Sequence, residues 1–192
     1  NTLLTFTSST MKLKMEEKAL LFKIRTKKDS AAFGELYNLY VEKIYRFVFF
    51  KINNKEETED ITSDVFLKVW NYLIENRKKE IGSFTGLIYR IARNSIIDFY
   101  RQRAKRQECS LDSVVLLADD KNYEKVEIDI EVEKIMIVVK RMKQEYQEVI
   151  LLRFVEELTT SEISSILDKS KTNVRVTLHR ATKKLQELLE QD

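Results

Sequence analysis

The near absence of turn-forming residues is the feature that most restricts the fold of this chain. It contains no proline and only three glycines, Gly34, Gly82 and Gly86, in 192 residues. A sheet protein of this size needs many tight turns, which proline and glycine favour. Leucine, isoleucine, valine, lysine and glutamate are abundant instead, and most of these are good helix formers. We therefore predict an all-α fold, with 43% hydrophobic residues to supply packed cores.

Cysteine content and hydropathy indicate the cellular compartment of the protein. The single cysteine, Cys109, cannot form an intramolecular disulfide, which fits a reducing compartment. An ordinary thiol is favoured over a redox or catalytic one because no partner group is evident. No run approaches the roughly 20 apolar residues of a membrane-spanning helix, and the start of the chain lacks the charged-then-apolar order of a secretory signal. The sequence thus predicts a cytoplasmic protein that is not inserted into a membrane.

Residues 1–28 are expected to form an N-terminal extension. Its first ten residues are uncharged and rich in threonine and serine, and Met11 follows them directly. They are interpreted either as a remnant of an expression tag or as the result of a misassigned start with Met11 as the natural first residue, and neither contributes to the predicted fold.

Two amphipathic helices are predicted to begin the first domain. Apolar residues at helical spacing predict one over residues 31–52, with Ser30 as its N-cap. Asn54, followed three residues later by Glu57, resembles a capping box that starts the second. The second helix has an apolar face, and its other face carries Asp60, Asp64, Leu67, Lys68 and Asn71.

A basic loop and a basic helix are predicted next. The apolar period fails between Asn76 and Gly82, where the loop carries Arg77, Lys78 and Lys79. Ser83 is expected to cap a third helix over residues 84–106, in which Asp98 is the only acid. Its basic residues are Arg90, Arg93, Arg101, Arg103, Lys105 and Arg106. A solvated face normally mixes charge signs, so contact with phosphates is favoured over mere solubility. Base stacking and hydrogen bonding are available from Tyr89, Asn94 and Tyr100.

Residues 107–133 are predicted to be an acidic flexible linker between two small domains. Nine acidic residues stand there against two lysines, and helical patterning is weak. Alternating apolar residues between Val126 and Val132 resemble a strand. They run directly into a helical pattern from Ile135 to Met142, so we interpret them as the start of a helix.

The last segment has the spacing of a helix-turn-helix. Apolar residues from Tyr146 to Phe154 mark the first helix, and Thr159 with Glu162 predicts a capping box for the second. Ser170 is expected to cap a long third helix whose outer positions can reach base edges and phosphates: Lys171, Thr172, Asn173, Arg175, Val176, His179, Arg180, Lys183 and Lys184. A purely structural helical hairpin gives the same pattern, but the basic helix upstream favours DNA contact.

No catalytic or cofactor-binding constellation is evident. The chain lacks a glycine-rich phosphate loop, and its single histidine, His179, has no metal-ligating neighbours in the pattern. Glu59, Asp60 and Asp64 would be able to hold Mg²⁺, but no nucleotide site accompanies them, which favours an acidic partner-binding face. The sequence therefore predicts no enzyme activity, no metal, no cofactor and no small-molecule substrate.

Three segments, in order along the chain, resemble the extracytoplasmic-function group of bacterial RNA polymerase sigma factors. They are residues 59–70, residues 84–94, and residues 146–154 together with 178–181, and the resemblance extends over about residues 29–189. It implies a sigma region 2 domain over residues 29–106 and a sigma region 4 helix-turn-helix domain over residues 134–192. One departure lies in the turn of the helix-turn-helix, where Asp168 and Lys169 replace the glycine and apolar residue that the family favours.

The resemblance implies three functional surfaces. Core polymerase, through the coiled coil of its largest subunit, would bind Asp60, Ser63, Asp64, Leu67, Lys68 and Asn71. The minus-ten promoter element would be bound and opened by Lys78, Lys79, Ser83, Tyr89, Arg90, Arg93, Asn94 and Arg101. The minus-thirty-five element would be read as duplex by Lys171, Thr172, Asn173, Arg175, Val176, His179, Arg180 and Lys183. An anti-sigma factor on a separate chain would compete for the face from Asp60 to Trp70.

A different class of function is also compatible with part of the pattern. A helix-turn-helix regulator would use its N-terminal domain as a sensor or dimerisation module, whereas a sigma factor would use it to bind polymerase. A helical hydrolase or kinase-like enzyme is a third interpretation, which lacks catalytic residues.

Overall fold

The computed structural model describes the backbone of residues 2–109, 135 and 137–190, and the side chains of residues 15–105, 135 and 137–190. These residues form helices and connecting turns and contain no strand, which confirms the predicted all-α fold. The predicted linker lies outside the described residues beyond Cys109, as does the alternating pattern from Val126 to Val132.

The chain divides into two compact units. One unit consists of residues 1–82 and 91–97, and the other of residues 83–90 and 98–192. Helix α4, Phe84–Cys109, contributes segments to both units.

The first unit is built from α1 (Thr2–Lys27), α2 (Ser30–Ile52), α3 (Lys55–Glu75) and the middle of α4. Helix α1 packs on α2 and α3. The core contains buried side chains from each of these three helices, among them Leu20, Leu21, Ile24, Leu36, Ile44, Phe47, Val65 and Leu73. The region 2 domain was predicted to begin at residue 29, yet the last turns of α1 already contribute to this core.

Local capping signals account for most of the helix boundaries in both units. Asn54 caps α3 and accepts from the backbone N–H of Glu57 at 3.0 Å. Ser83 caps α4 and accepts from the N–H of Gly86 at 3.1 Å. The prediction of Ser30 as a cap is wrong. Asp29 caps α2 instead, since its side chain accepts from the N–H of Ala32 at 3.0 Å and Ser30 is already helical.

The second unit contains the predicted helix-turn-helix. After a helical stretch at residues 137–140, α5 (Gln144–Ile150) continues into a π-helical turn, Leu151–Val155, followed by α6 (Thr160–Leu167) and α7 (Lys171–Leu189). Helices α5 and α6 both pack on α7. Thr159 and Glu162 form the predicted capping box, and Ser170 caps α7 by accepting from the N–H of Asn173 at 3.1 Å.

The π-helical turn changes which residues face the core. Phe154, predicted as a packing residue of the first helix, is 59% exposed. The N–H of Glu156 bonds to the carbonyl of Leu151 at 3.1 Å, five residues back. A wider turn adds a residue to the repeat, so the positions that follow leave the 3.6-residue register on which the prediction depended.

Candidate partner and nucleic-acid interfaces

One face of α3 combines an exposed apolar side chain with charged and polar neighbours. Its members recur at alternating intervals of three and one positions, which places them on one side of a helix: Asp60, Ser63, Asp64, Leu67, Lys68 and Asn71. Leu67 is 59% exposed, whereas Val65 and Val69 on the other side are fully buried. We call this set the α3 face. An exposed leucine ringed by both charge signs suits a reversible protein interface.

A polar triad joins the α3 face to α4. Lys68 Nζ lies 2.7 Å from Asp64 Oδ2 and donates to Ser95 Oγ at 2.9 Å, and Ser95 Oγ donates to Asp64 Oδ2 at 3.1 Å. Ser95 is buried, while each of the two charged side chains is 45% exposed. The triad therefore fixes the orientation of Asp64 and Lys68 and leaves part of both side chains available to a partner.

Four predicted DNA-binding residues share one side of α4. At about 100° per residue, Arg90, Arg93, Asn94 and Arg101 fall within roughly a third of the helix circumference. Arg90, Asn94 and Arg101 are exposed and Arg93 is half-buried. The pair formed by Arg101 and Asp98, at 3.4 Å, is exposed and leaves the face positively charged overall. We call these four residues the α4 basic face.

Two other predicted minus-ten residues do not present free groups in this structure. Tyr89 is only 1% exposed, and its hydroxyl donates to a carboxylate oxygen of Glu156. Ser83 caps α4 and also donates to Glu162 Oε1 at 2.9 Å. The expectation that Tyr89 stacks on a base does not fit this conformation, because the α4 position predicted to be exposed is packed inside the second unit.

The basic loop after α3 is held by a residue that the sequence analysis missed. Lys78 and Lys79 are exposed. Arg25 Nη2 donates to the carbonyl of Asn76 at 3.1 Å and also to the carbonyls of Arg77 and Lys79. The helical spacing of apolar residues from Leu20 to Ile24 was the available signal that this part of the chain packs against the domain.

The outer side of α7 carries a continuous polar surface. All eight residues predicted to bind the minus-thirty-five element are exposed: Lys171, Thr172, Asn173, Arg175, Val176, His179, Arg180 and Lys183. A hollow of about 450 Å³ lies beside the start of the helix and is lined by Thr172, Asn173, Val176 and Arg180 together with Glu145 and Tyr146. We call the eight residues the α7 face.

An ion pair at the edge of this hollow neutralises the charge of Glu145, the acidic side chain among its lining residues. Lys169 Nζ pairs with Glu145 Oε1, and this hydrogen bond lowers the pKa of Glu145. Because Glu145 is then a carboxylate at neutral pH, its charge beside α7 is offset by Lys169 and not by protonation.

Metal-binding and membrane-spanning features are absent from the part of the chain that the structure describes. No three histidine, cysteine, aspartate or glutamate side chains among those residues are grouped as a metal site would require. None of the described helices is both long enough and apolar enough to span a bilayer.

Two parts of the chain match known families. Residues 36–106 match the family Sigma-70 region 2, and residues 133–185 match Sigma-70, region 4. The α3 face and the α4 basic face fall within the first match, and the α7 face falls within the second.

Relatives and solved structures agree with these matches. The chain is 26% identical to the ECF RNA polymerase sigma factor BldN of Streptomyces coelicolor over 85% of this chain and 62% of that protein. It is 29% identical to the ECF sigma factor SigW of Bacillus subtilis over 85% and 91% of the two chains. Its fold is similar to that of CnrH, solved with the cytosolic domain of CnrY, with a TM-score of 0.67, 20% identity and coverage of 92% and 99%.

A second solved structure has a comparable fold. It is RpoE from Bartonella quintana in complex with the anti-sigma factor NepR, with a TM-score of 0.67, 18% identity and coverage of 83% and 98%. The chain belongs to the extracytoplasmic-function group of the sigma-70 family, whose members are promoter-recognising factors of transcription initiation.

Proposed function

We propose that the three faces described above divide the work of transcription initiation. The α3 face binds core RNA polymerase, the α4 basic face with Lys78 and Lys79 binds and opens the minus-ten element, and the α7 face reads the minus-thirty-five element. In this proposal residues 29–106 act as the region 2 domain, residues 107–133 as the linker and residues 134–192 as the region 4 domain.

Polymerase binding by the α3 face is supported by its composition. Its exposed Leu67 would be buried on binding, and burial of an apolar side chain is the main favourable contribution at such a contact. Asp60 and Lys68 supply opposite charges that fix the register of the partner without requiring a fully desolvated ion pair. The partner surface implied by the family is the coiled coil of the largest polymerase subunit.

Strand opening by α4 is supported by the one-signed charge of its basic face. Unstacking and extruding a base costs a few kcal/mol, and no nucleotide hydrolysis is available to supply it. Neutralisation of the displaced strand's phosphates by Arg90, Arg93 and Lys78 offsets part of that cost. Asn94 adds a side-chain amide that can hydrogen-bond to an exposed base edge. Ser83 would contribute after release from Glu162, and stacking by Tyr89 would likewise require its release from Glu156.

Duplex reading by α7 is supported by the exposure of its whole outer side. In a helix-turn-helix the residues of the first turns reach base edges, which assigns base contacts to Thr172, Asn173 and Val176. Arg175, Arg180 and Lys183 carry charges suited to phosphates or to guanine. His179 is exposed between Arg175 and Arg180 in the sequence, and we assign it to phosphate contact and not to metal binding.

The remaining assignments follow from family membership. Sigma factors are non-catalytic regulators, and we infer that this chain likewise catalyses nothing and requires no cofactor. It acts where polymerase and chromosome are found, in the cytoplasm. Because both solved structures of similar fold contain a second protein in complex, we infer a separate anti-sigma factor that competes with polymerase for the segment from Asp60 to Trp70.

The exposed and charged α3 face is the observation that carries the proposal over the alternative of a conventional regulator. Reconstitution of the purified chain with core polymerase, followed by run-off transcription from genomic templates, tests it. We expect promoter-dependent transcripts that are lost with Leu67→Asp through failure to bind core polymerase. Arg93→Ala should retain core binding and lose strand opening. Absence of any promoter-dependent transcript with a folded protein would contradict the proposal.

A further inference from the structure

The guanidinium group of Arg25 connects the end of α1 to the basic loop that leaves α3. Its Nη2 donates to the backbone carbonyls of Asn76, at 3.1 Å, Arg77 and Lys79. All three acceptors are main-chain atoms. The contact therefore constrains the path of the backbone between residues 76 and 79 and leaves the side chains of Lys78 and Lys79 exposed.

The three carbonyls lie at and just beyond the C-terminus of α3, where the N–H of Lys79 also donates to the carbonyl of Asn76 at 3.1 Å and closes a turn. The last carbonyls of a helix have no intrahelical partner, and they carry the partial negative charge of the helix dipole. Helix α3 ends at Asn76 without a glycine in the left-handed conformation. The loop itself, Asn76 to Glu80, contains neither glycine nor proline to define a turn. A cation provided by another helix therefore adds to the single backbone hydrogen bond that closes this turn, between Lys79 and Asn76.

The position of Arg25 is itself fixed. Its neighbour Ile24 is fully buried, and the Tyr40 hydroxyl of α2 donates to Glu17 of the same helix as Arg25. The Nε of Arg25 is buried as well. The side chain is therefore held against the loop and is not an extended surface arginine, so its charge also raises the positive potential behind Lys78 and Lys79.

We propose that Arg25 is a positioning residue for promoter opening, which holds the loop so that Lys78 and Lys79 reach the phosphates of the separated minus-ten strand. This inference rests on the proposed role of that loop. Without Arg25, three adjacent cations, Arg77, Lys78 and Lys79, repel one another on a turn that retains only its local hydrogen bonds, such as that from the N–H of Lys79 to the carbonyl of Asn76. The lysines then spend less time in the geometry that the strand requires, while contacts with polymerase and with the minus-thirty-five element are unchanged.

The test measures strand opening in reconstituted holoenzyme, by the permanganate reactivity of unpaired thymines on a duplex promoter. The variants are Arg25→Ala, Arg25→Lys, the double variant Lys78→Ala/Lys79→Ala, and a triple variant that combines it with Arg25→Ala. Lys23→Ala, which removes an exposed charge from the same helix, is the matched control. Core binding and thermal unfolding are measured for every variant, so that a loss of fold is not mistaken for a loss of opening.

We expect Arg25→Ala to reduce the open fraction roughly fivefold to tenfold and to lower the salt slope by about 0.7 to 1.4, since each of the two lysine contacts with single-strand phosphates contributes about 0.7 to that slope. Arg25→Lys keeps the charge, but the lysine side chain is one bond shorter and its ammonium falls short of the position of Nη2, from which all three contacts are made, so it should be intermediate. Lys23→Ala should behave like the unmodified protein. In the Lys78→Ala/Lys79→Ala background, Arg25→Ala should have little further effect, because both changes remove one coupled interaction.

The outcomes separate this inference from the proposal beneath it. Normal opening by the Lys78→Ala/Lys79→Ala protein would overturn the role of the loop and, with it, the role of Arg25. Defective opening by that protein beside normal opening by Arg25→Ala would overturn the inference alone. A full additional loss on adding Arg25→Ala to the double variant would also overturn it, since Arg25 would then act independently of the two lysines. If Arg25→Ala does not fold, Arg25→Lys decides by the same comparison.

Discussion

Leu67 offers a direct measure of how much the α3 face contributes to polymerase binding. Its side chain is 59% exposed, so that fraction of its surface remains to be buried by a partner. Complete burial of a leucine side chain contributes about 1.5–3 kcal/mol, and the exposed share corresponds to about 1–2 kcal/mol. Leu67→Ala removes most of this contribution. Since about 1.4 kcal/mol is a tenfold change in affinity, we expect core polymerase to bind roughly tenfold more weakly.

The assay is equilibrium binding of fluorescently labelled protein to core polymerase, followed by anisotropy. Phe22→Ala is the matched control, because Phe22 is 68% exposed but lies on α1, outside the α3 face. Thermal unfolding of Leu67→Ala should stay close to that of the unmodified protein, since the side chain makes little contribution to the core. Unchanged affinity of both Leu67→Ala and Leu67→Asp for core polymerase would refute the proposed burial of Leu67 at this contact.

Three further predictions concern backbone strain, an ion pair and DNA reading. Lys28 has a left-handed backbone, with φ of 54°, that lysine adopts at a cost, so Lys28→Gly should raise the free energy of unfolding by about 0.5–1 kcal/mol, measured by urea titration with unchanged m value. Lys169 lowers the pKa of Glu145 in the folded protein. This partly exposed ion pair therefore stabilises the fold at pH values above the ordinary glutamate pKa, and the stabilisation is lost as the pH falls through the lowered pKa of Glu145. Lys169→Ala should therefore destabilise the protein by less than about 1 kcal/mol at neutral pH and not at all at acid pH, as thermal unfolding across pH would reveal. Arg175→Ala should weaken binding to minus-thirty-five duplex by about 1–3 kcal/mol if the arginine contacts guanine; an unchanged sequence preference in a binding titration would contradict base contact.

Several local features were predictable because their causes lie within a few residues. Thr159 and Glu162 form a capping box through groups three positions apart, and Asn54, Ser83 and Ser170 cap their helices in the same range. Such signals require no knowledge of packing. They still leave a choice where two capping residues are adjacent, and at α2 the choice between neighbouring residues was made wrongly.

The errors and omissions arose where a neighbour distant in the chain decided the outcome. Tyr89 was expected on an exposed face, yet it is buried and bonded to Glu156, 67 positions later. Phe154 left its expected register because a π-helical turn precedes it. Helical periodicity describes one regular helix and contains no information about a wider turn or about which part of the chain covers a given side.

The sequence by itself determined the fold class, the helix-turn-helix and most of the exposed residues of the α3 face, the α4 basic face and the α7 face. The reason is that helix propensity, capping and amphipathic spacing act over one or two turns of chain. Only the tertiary structure decided that Arg25 reaches carbonyls 51 to 54 positions away and that Ser95 joins Asp64 to Lys68. These contacts depend on which helices pack together, and packing is set by the summed burial of many apolar side chains and not by any short motif.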